Sequence, residues 1–288
     1  VGIMRRASPA FDTMGDWELA YAAIAANVVQ VEGLLRLSPD HEDAVFLLAQ
    51  GWTAFGYGFV EDQMETAEDV PDRAQAEYHR ERAKRAYARA IEVGLREITS
   101  RKEGFDQAKA GEASLRTWLE QAFDDADDAG LLFWTGYAWL SRTNLMKDDA
   151  EAVASLFVGA MFVKRAVDLD RAYHNYNGLV VLGAYHARAA SAELDEAKAL
   201  FEEALEKTGR RSLIAQMNYA TSYACAKADV ALYEKLLGEV VRATEDGSPE
   251  VRLTNTVARR RAKRWLGEQR NSTSAAWSPR RLQPTPRR

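Results

Sequence analysis

The segment EAKALFEEAL, residues 196–205, decides the fold. Ala197, Phe201 and Ala204 stand at the Ala-x3-aromatic-x2-Ala spacing of the second helix of a tetratricopeptide repeat. On a helix these positions share one face, and two small residues beside a large one let a neighbouring helix approach while the ring fills the space between them. The spacing recurs as Ala83, Tyr87 and Ala90 in RAKRAYARAI (82–91) and, more loosely, as Gly159, Val163 and Ala166 and as Asp229, Tyr233 and Leu236.

First helices of such repeats fit at Val45, Leu48, Ala49 and Trp52; at Leu132, Thr135, Gly136 and Trp139; at Leu179, Leu182, Gly183 and His186; and at Gln216, Tyr219, Ala220 and Tyr223. The opening helix closes like a half repeat, with Val31, Leu34 and Pro39 at the aromatic, small and proline positions. From residue 15 to 268 prolines are confined to Pro39, Pro71 and Pro249, and strand-like alternation is absent. The expectation is an all-α, irregular tetratricopeptide-repeat-like solenoid over 15–268, with a disordered leader remnant at 1–14 and a disordered basic tail at 269–288. The aromatic positions Val31, Tyr87, Val163, Phe201 and Tyr233 lie 56, 76, 38 and 32 residues apart, against 34 for a regular repeat. The early repeats therefore carry long insertions, and binding surfaces are expected in 53–80, 99–130 and 140–150.

Two stretches combine glycine with aromatics: GWTAFGYGFVED (51–62) and LFWTGYAWL (132–140). Trp52 and Trp139 occupy repeat positions and read as core. Phe55, Tyr57, Phe59, Trp134 and Tyr137 fall off the repeat and are candidates to line an apolar cleft or a protein interface. Asn144 is a candidate to orient a ligand, although Asn144, Asn218 and Asn255 also suit a role in holding helices together. Gly56 and Gly58 either bend or end their helix, or admit a close backbone approach.

Little in the composition supports catalysis. His41, His79, His174 and His186 have no metal-ligand spacing, the single Cys225 excludes a cysteine cluster and an intrachain disulfide, and no P-loop, dinucleotide fingerprint or nucleophile elbow is present. DDADDAG (124–130) lacks the rhythm of a calcium loop and reads as helix capping. No enzyme activity, cofactor or metal is expected. No stretch approaches the roughly 20 uninterrupted apolar residues of a bilayer crossing. Ten cations and one acid lie from Arg259 onward, leaving a net −14 on the rest of the chain. ARRRAKRW (258–265) suits the C-terminal dipole of a last helix beside an acidic body, and nucleic-acid binding is not expected.

The order of these segments resembles the T-component of TRAP transporters associated with tetratricopeptide-repeat proteins, the TatT family. The likeness is carried by residues 27–62, RAKRAYARAI, FWTGYAWLSRTN (133–144), VKRAVDLDRAYHNYNGLVVLGAYHA (163–187), AKALFEEALEKTG (197–209) and RLTNTVARRRAKRWL (252–266). The resemblance implies a non-enzymatic periplasmic protein, lipid-anchored in the full-length precursor through an anchor absent from this chain. It also implies a homotrimer that docks a DctP-like TRAP substrate-binding protein, with a cleft for an apolar or organic-acid ligand. The rival expectation is a monomeric peptide-binding repeat scaffold in an intracellular complex. A peptide groove, however, favours long polar side chains on the first helices, where this chain has Trp52, Trp139, Leu179 and Leu182.

Overall fold

A computed structural model describes residues 3–70, 72–188, 193–244 and 248–267. All regular elements among them are helical. They are α1 (Ile3–Ala7), α2 (Trp17–Leu37), α3 (Glu42–Phe55), α4 (Glu61–Asp69), α5 (Arg73–Ser100), α6 (Phe105–Ala108), α7 (Glu112–Ala122), α8 (Ala129–Asn144), α9 (Ala150–Ala154), α10 (Leu156–Leu169), α11 (Tyr173–Arg188), α12 (Leu194–Lys207), α13 (Leu213–Asn218), α14 (Val230–Arg242) and α15 (Arg252–Leu266). The basic tail expected over 269–288 lies outside the described residues.

Polar side chains start several helices by accepting the first free backbone N–H groups. Asp16 accepts from Leu19, Asp72 from Gln75, Asp149 from Glu151 and Ala152, and Asp229 from Leu232. Gly267, at φ 63°, ends α15 in the left-handed conformation.

Helices that carry paired small-and-large positions pack on each other: α3 on α5, α8 on α10, and α11 on α12. The packing is close because the small residues are small. A Cβ on Gly136 would stand 2.6 Å from the backbone oxygen of Gly159, and one on Gly183 would stand 2.9 Å from the Phe201 ring. Tyr87, Phe162 and Phe201 are fully buried in the resulting core. The segments between the early pairs hold further helices: α4 packs on α5, and α7 packs on α10.

Two expectations are corrected. Residues 3–13, expected to be part of a disordered leader, form α1 and a 3-10 turn (Ser8–Thr13) that Pro9 opens. This segment is held because the Arg5 guanidinium lies 4.1 Å from the centre of the Phe46 ring, Phe11 packs against the core, and Arg252 donates to the Thr13 carbonyl at 3.2 Å. Secondly, α2 is long and apolar enough, by length and composition, to cross a membrane, with a mean hydropathy of 1.2 in its most apolar window. Its polar residues interrupt every apolar run without lowering that mean below the range of a spanning helix. In the fold its face of Ala20, Ile24, Val28, Val31 and Leu35 is buried, and Glu32 forms a bidentate pair with Arg89.

Gly136→Ala, driven into backbone, is expected to lower unfolding stability by about 1–3 kcal/mol in chemical denaturation. Gly33→Ala, with nothing within 4 Å of the added carbon, should be neutral or stabilising. Equal effects at the two sites would refute this account of the α8–α10 contact.

Candidate functional site

The helical path from Glu42 to Asp69 is unbroken, but Gly56–Val60 forms a π-helical turn inside it. Such a turn holds one residue more than an α-turn and rotates the side chains that follow. The glycines neither end the helix nor expose it. Gly56 admits the Tyr87 ring, 2.8 Å from where its Cβ would stand, and the Gly58 carbonyl accepts from Trp17 Nε1 at 3.2 Å.

Past the π-turn the chain buries Glu61 and Asp62. Both carboxylates face α15, which lies about 200 residues further along the chain. Arg261 Nη2 donates to Glu61 at 3.0 Å and to Glu65 at 2.6 Å. Asp62 accepts from Arg260 at 2.6 Å and from Arg264 at 2.7 Å. Tyr87 Oη donates to Glu61 at 2.5 Å. Arg261 is only 2% exposed, so its charge depends on these partners. Burial pushes the Glu61 carboxyl above the ordinary range, against the pull of Arg261 and the Tyr87 hydroxyl.

A second π-turn, Tyr219–Ala224, follows α13. Tyr57 of the first π-turn reaches the residue just before the second: Asn218 Nδ2, bonded to the Ile214 carbonyl at 2.9 Å, also donates to Tyr57 Oη at 3.3 Å. The Tyr57 ring lies 5.4 Å from that of Tyr137 and carries the Arg261 guanidinium 4.6 Å from its centre. Asn255 has a separate task, joining α15 to the start of α13 through Leu213 N (2.8 Å) and the Arg211 carbonyl (2.9 Å).

The structure separates the six candidate residues. Tyr57 and Tyr137 come together, both half-buried. Phe55, Phe59 and Trp134 point into the core. Phe55 stacks on Tyr21 at 5.6 Å, Phe59 sits 5.2 Å from Trp17, and Trp134 Nε1 donates to Tyr173 Oη at 3.0 Å. Asn144 is half-buried at the C-terminal end of α8.

Two groups that no motif marked also belong to this region. Arg188, at the end of α11, is more than a third exposed, yet burial of its charged end lowers its pKa. Its charge acts on Tyr57, Glu61, Tyr137 and Arg261. Lys147, just beyond α8, is exposed, and its pKa is lowered first by burial and then by Arg188.

Behind Trp134, His174, Asn175 and Tyr176 form a left-handed turn with φ of 48°, 57° and 59°. Such a conformation costs about 1–2 kcal/mol per non-glycine residue, and only Asn among the three adopts it readily. The His174 ring lies 4.9 Å from Trp134, and burial lowers its pKa from 6.5 to about 4. The other histidines have local duties: His41 caps α3 and His186 pairs with Glu193. Among the described residues no group of three or more His, Cys, Asp or Glu could hold a metal ion.

The family model described as TAtT, TRAP transporter T-component, matches residues 13–272, and the chain belongs to this family. No curated protein matches the chain. Membership makes the chain part of a transport system of the bacterial cell envelope that works with other TRAP components.

Removing the guanidinium with Arg261→Met leaves Glu61 and Glu65 buried without their partner and is expected to cost about 3–5 kcal/mol of unfolding stability. An effect below about 1 kcal/mol in urea denaturation would show that the pair is not needed. For His174 the unfolded chain takes up a proton that the folded chain resists. Stability from this group is therefore present above pH 6.5 and declines as pH falls from 6.5 to about 4. The melting temperature of the wild type should drop relative to His174→Asn over that window, and parallel profiles would contradict the assignment.

Proposed function

We propose that this chain is a non-enzymatic periplasmic T-component that self-associates as a homotrimer and docks the substrate-binding protein of its TRAP system. In this reading the helical domain over 15–268 is an irregular tetratricopeptide-repeat-like solenoid, anchored in the membrane by a lipid on the full-length precursor. It receives or passes an apolar or organic-acid ligand through the cleft floored by Tyr57 and Tyr137. The match to the T-component model over 13–272 carries the proposal.

Further support for self-association comes from α2, whose outer face presents Leu19 (59% exposed), Val29 (67%) and Leu37 (86%). Ala22, Ala26 and Gly33 lie exposed between them, at three- and four-residue intervals. This is the seam spacing with which one helix packs on another, and the small residues permit close approach. Large exposed apolar residues aligned in this way mark an interaction surface.

Light scattering of the purified chain over a concentration range should give a mass near three times 32.2 kDa. Val29→Glu should shift that mass toward the monomer while the melting temperature of the folded chain is kept. A strict monomer at all concentrations would sink the quaternary part of the reading. Failure of the trimer to co-elute with the cognate substrate-binding protein would sink the docking part.

A further inference from the structure

Three stretches of chain, far apart in sequence, enclose one recess. His174, Asn175 and Asn177 line it from the start of α11, Ser212 and Ile214 from the start of α13, and Val251 and Thr254 from the N-terminal end of α15. Asn175 ties two of these walls together, its Nδ2 donating to the Glu250 carbonyl at 3.4 Å. The wall on α11 is the left-handed turn, a conformation that His174 and Tyr176 adopt only at a cost. Backbone held in this way persists where its surroundings fix it, and it clusters at ligand clamps.

Two polar side chains in the wall lack a partner. Asn177 is 9% exposed and Ser212 is 2% exposed, and neither side chain makes a hydrogen bond among the described residues. A buried amide or hydroxyl left unpaired is costly, so a group from outside is the partner that is missing. The lining limits what that group is. No Asp, Glu, Lys or Arg lines the recess, and burial keeps His174 neutral at pH 7, so an ion would enter without a counter-charge. Asn177 offers both a donor and an acceptor, as does the Ser212 hydroxyl. Thr254 Oγ1 donates to the Val251 carbonyl at 3.0 Å and is still able to accept. Ile214 and Val251 supply an apolar side. The empty space, with the solvent at its mouth, is about 230 Å³, below the roughly 300 Å³ at which clefts for drug-sized ligands begin. The ligand group is therefore small and uncharged, and it both donates and accepts. An amide has all of these properties, and it pairs with a second amide through two hydrogen bonds.

We propose that this recess is a binding site for a neutral amide group, with the Asn177 amide and the Ser212 hydroxyl as its hydrogen-bond partners and Ile214 and Val251 facing its apolar side. Neither Tyr57 nor Tyr137 lines it, so this site and the cleft between those rings stand or fall separately.

Saturation-transfer difference NMR of the full chain, a method suited to weak ligands on a large protein, tests the proposal. Acetamide should give a saturable signal and bind at least about tenfold more tightly than acetate, which is charged, or acetone, which only accepts. Asn177→Leu and Ser212→Ala should each weaken acetamide about tenfold or more. Because the Ser212 side chain makes no cap bond, Ser212→Ala should also keep the wild-type melting temperature. N-methylacetamide separates the sources: tighter binding than acetamide assigns a peptide group of another chain, and weaker binding assigns a primary amide, free or on a side chain. Absence of an acetamide signal would leave an ordered water as the occupant and overturn the proposal. Equal binding of acetate or acetone, wild-type affinity in both variants, or a melting temperature lowered by more than about 4 °C in Ser212→Ala would overturn it as well.

Discussion

A buried ionic clamp joins α4 to α15, segments about 200 residues apart in the chain. Glu61, Asp62 and Glu65 stand within little more than one helical turn, and Arg260, Arg261 and Arg264 stand at the same spacing on the opposing helix. Taking such charges out of water is favourable only when each finds its partners in good geometry, which makes the arrangement a strong constraint on register. Helices that contact mainly their sequence neighbours have no intrinsic reason to bring α4 against α15. The clamp supplies that reason. It also explains why the acidic body and the basic final helix, opposite in sign, occur in one chain.

The clamp and the candidate site are parts of one arrangement. The π-turn at Gly56–Val60 rotates the following residues, and Tyr57 and Glu61 belong to the same short segment. Arg261 touches both, through a hydrogen bond to Glu61 and over the face of the Tyr57 ring. Tyr57 in turn reaches Asn218 beside the second π-turn. Packed and hydrogen-bonded groups therefore link Tyr57, Asn218 and the α4–α15 contact directly. The left-handed turn at His174–Tyr176 sets the His174 ring 4.9 Å from that of Trp134.

Much of this was readable from residue types and spacing. The 3.6-residue period, the placement of prolines near helix starts and the small-and-large pattern identified an all-α chain, because these are local packing requirements written at short range. Trp52 and Trp139 were recognisable as packing residues on that basis. The same reasoning grouped Phe55, Tyr57 and Phe59, since all three are aromatic and close in sequence. Only the fold distinguished them: Phe55, at the end of α3, packs on Tyr21, and within the π-turn Phe59 turns toward Trp17 and Tyr57 toward Tyr137.

Sequence alone thus determined the helical class, the packing faces of the small-and-large helix pairs and the family resemblance, all of which depend on patterns among residues a few positions apart. Tertiary structure decided that Glu61 meets Arg261 across 200 residues and that Asn218 meets Tyr57 across 161. The physical reason is that a helix repeats its own geometry every few residues, whereas the meeting of distant side chains depends on the accumulated angles of every helix packing between them. Small deviations such as two π-turns alter those angles, and no local pattern of residue types records the result.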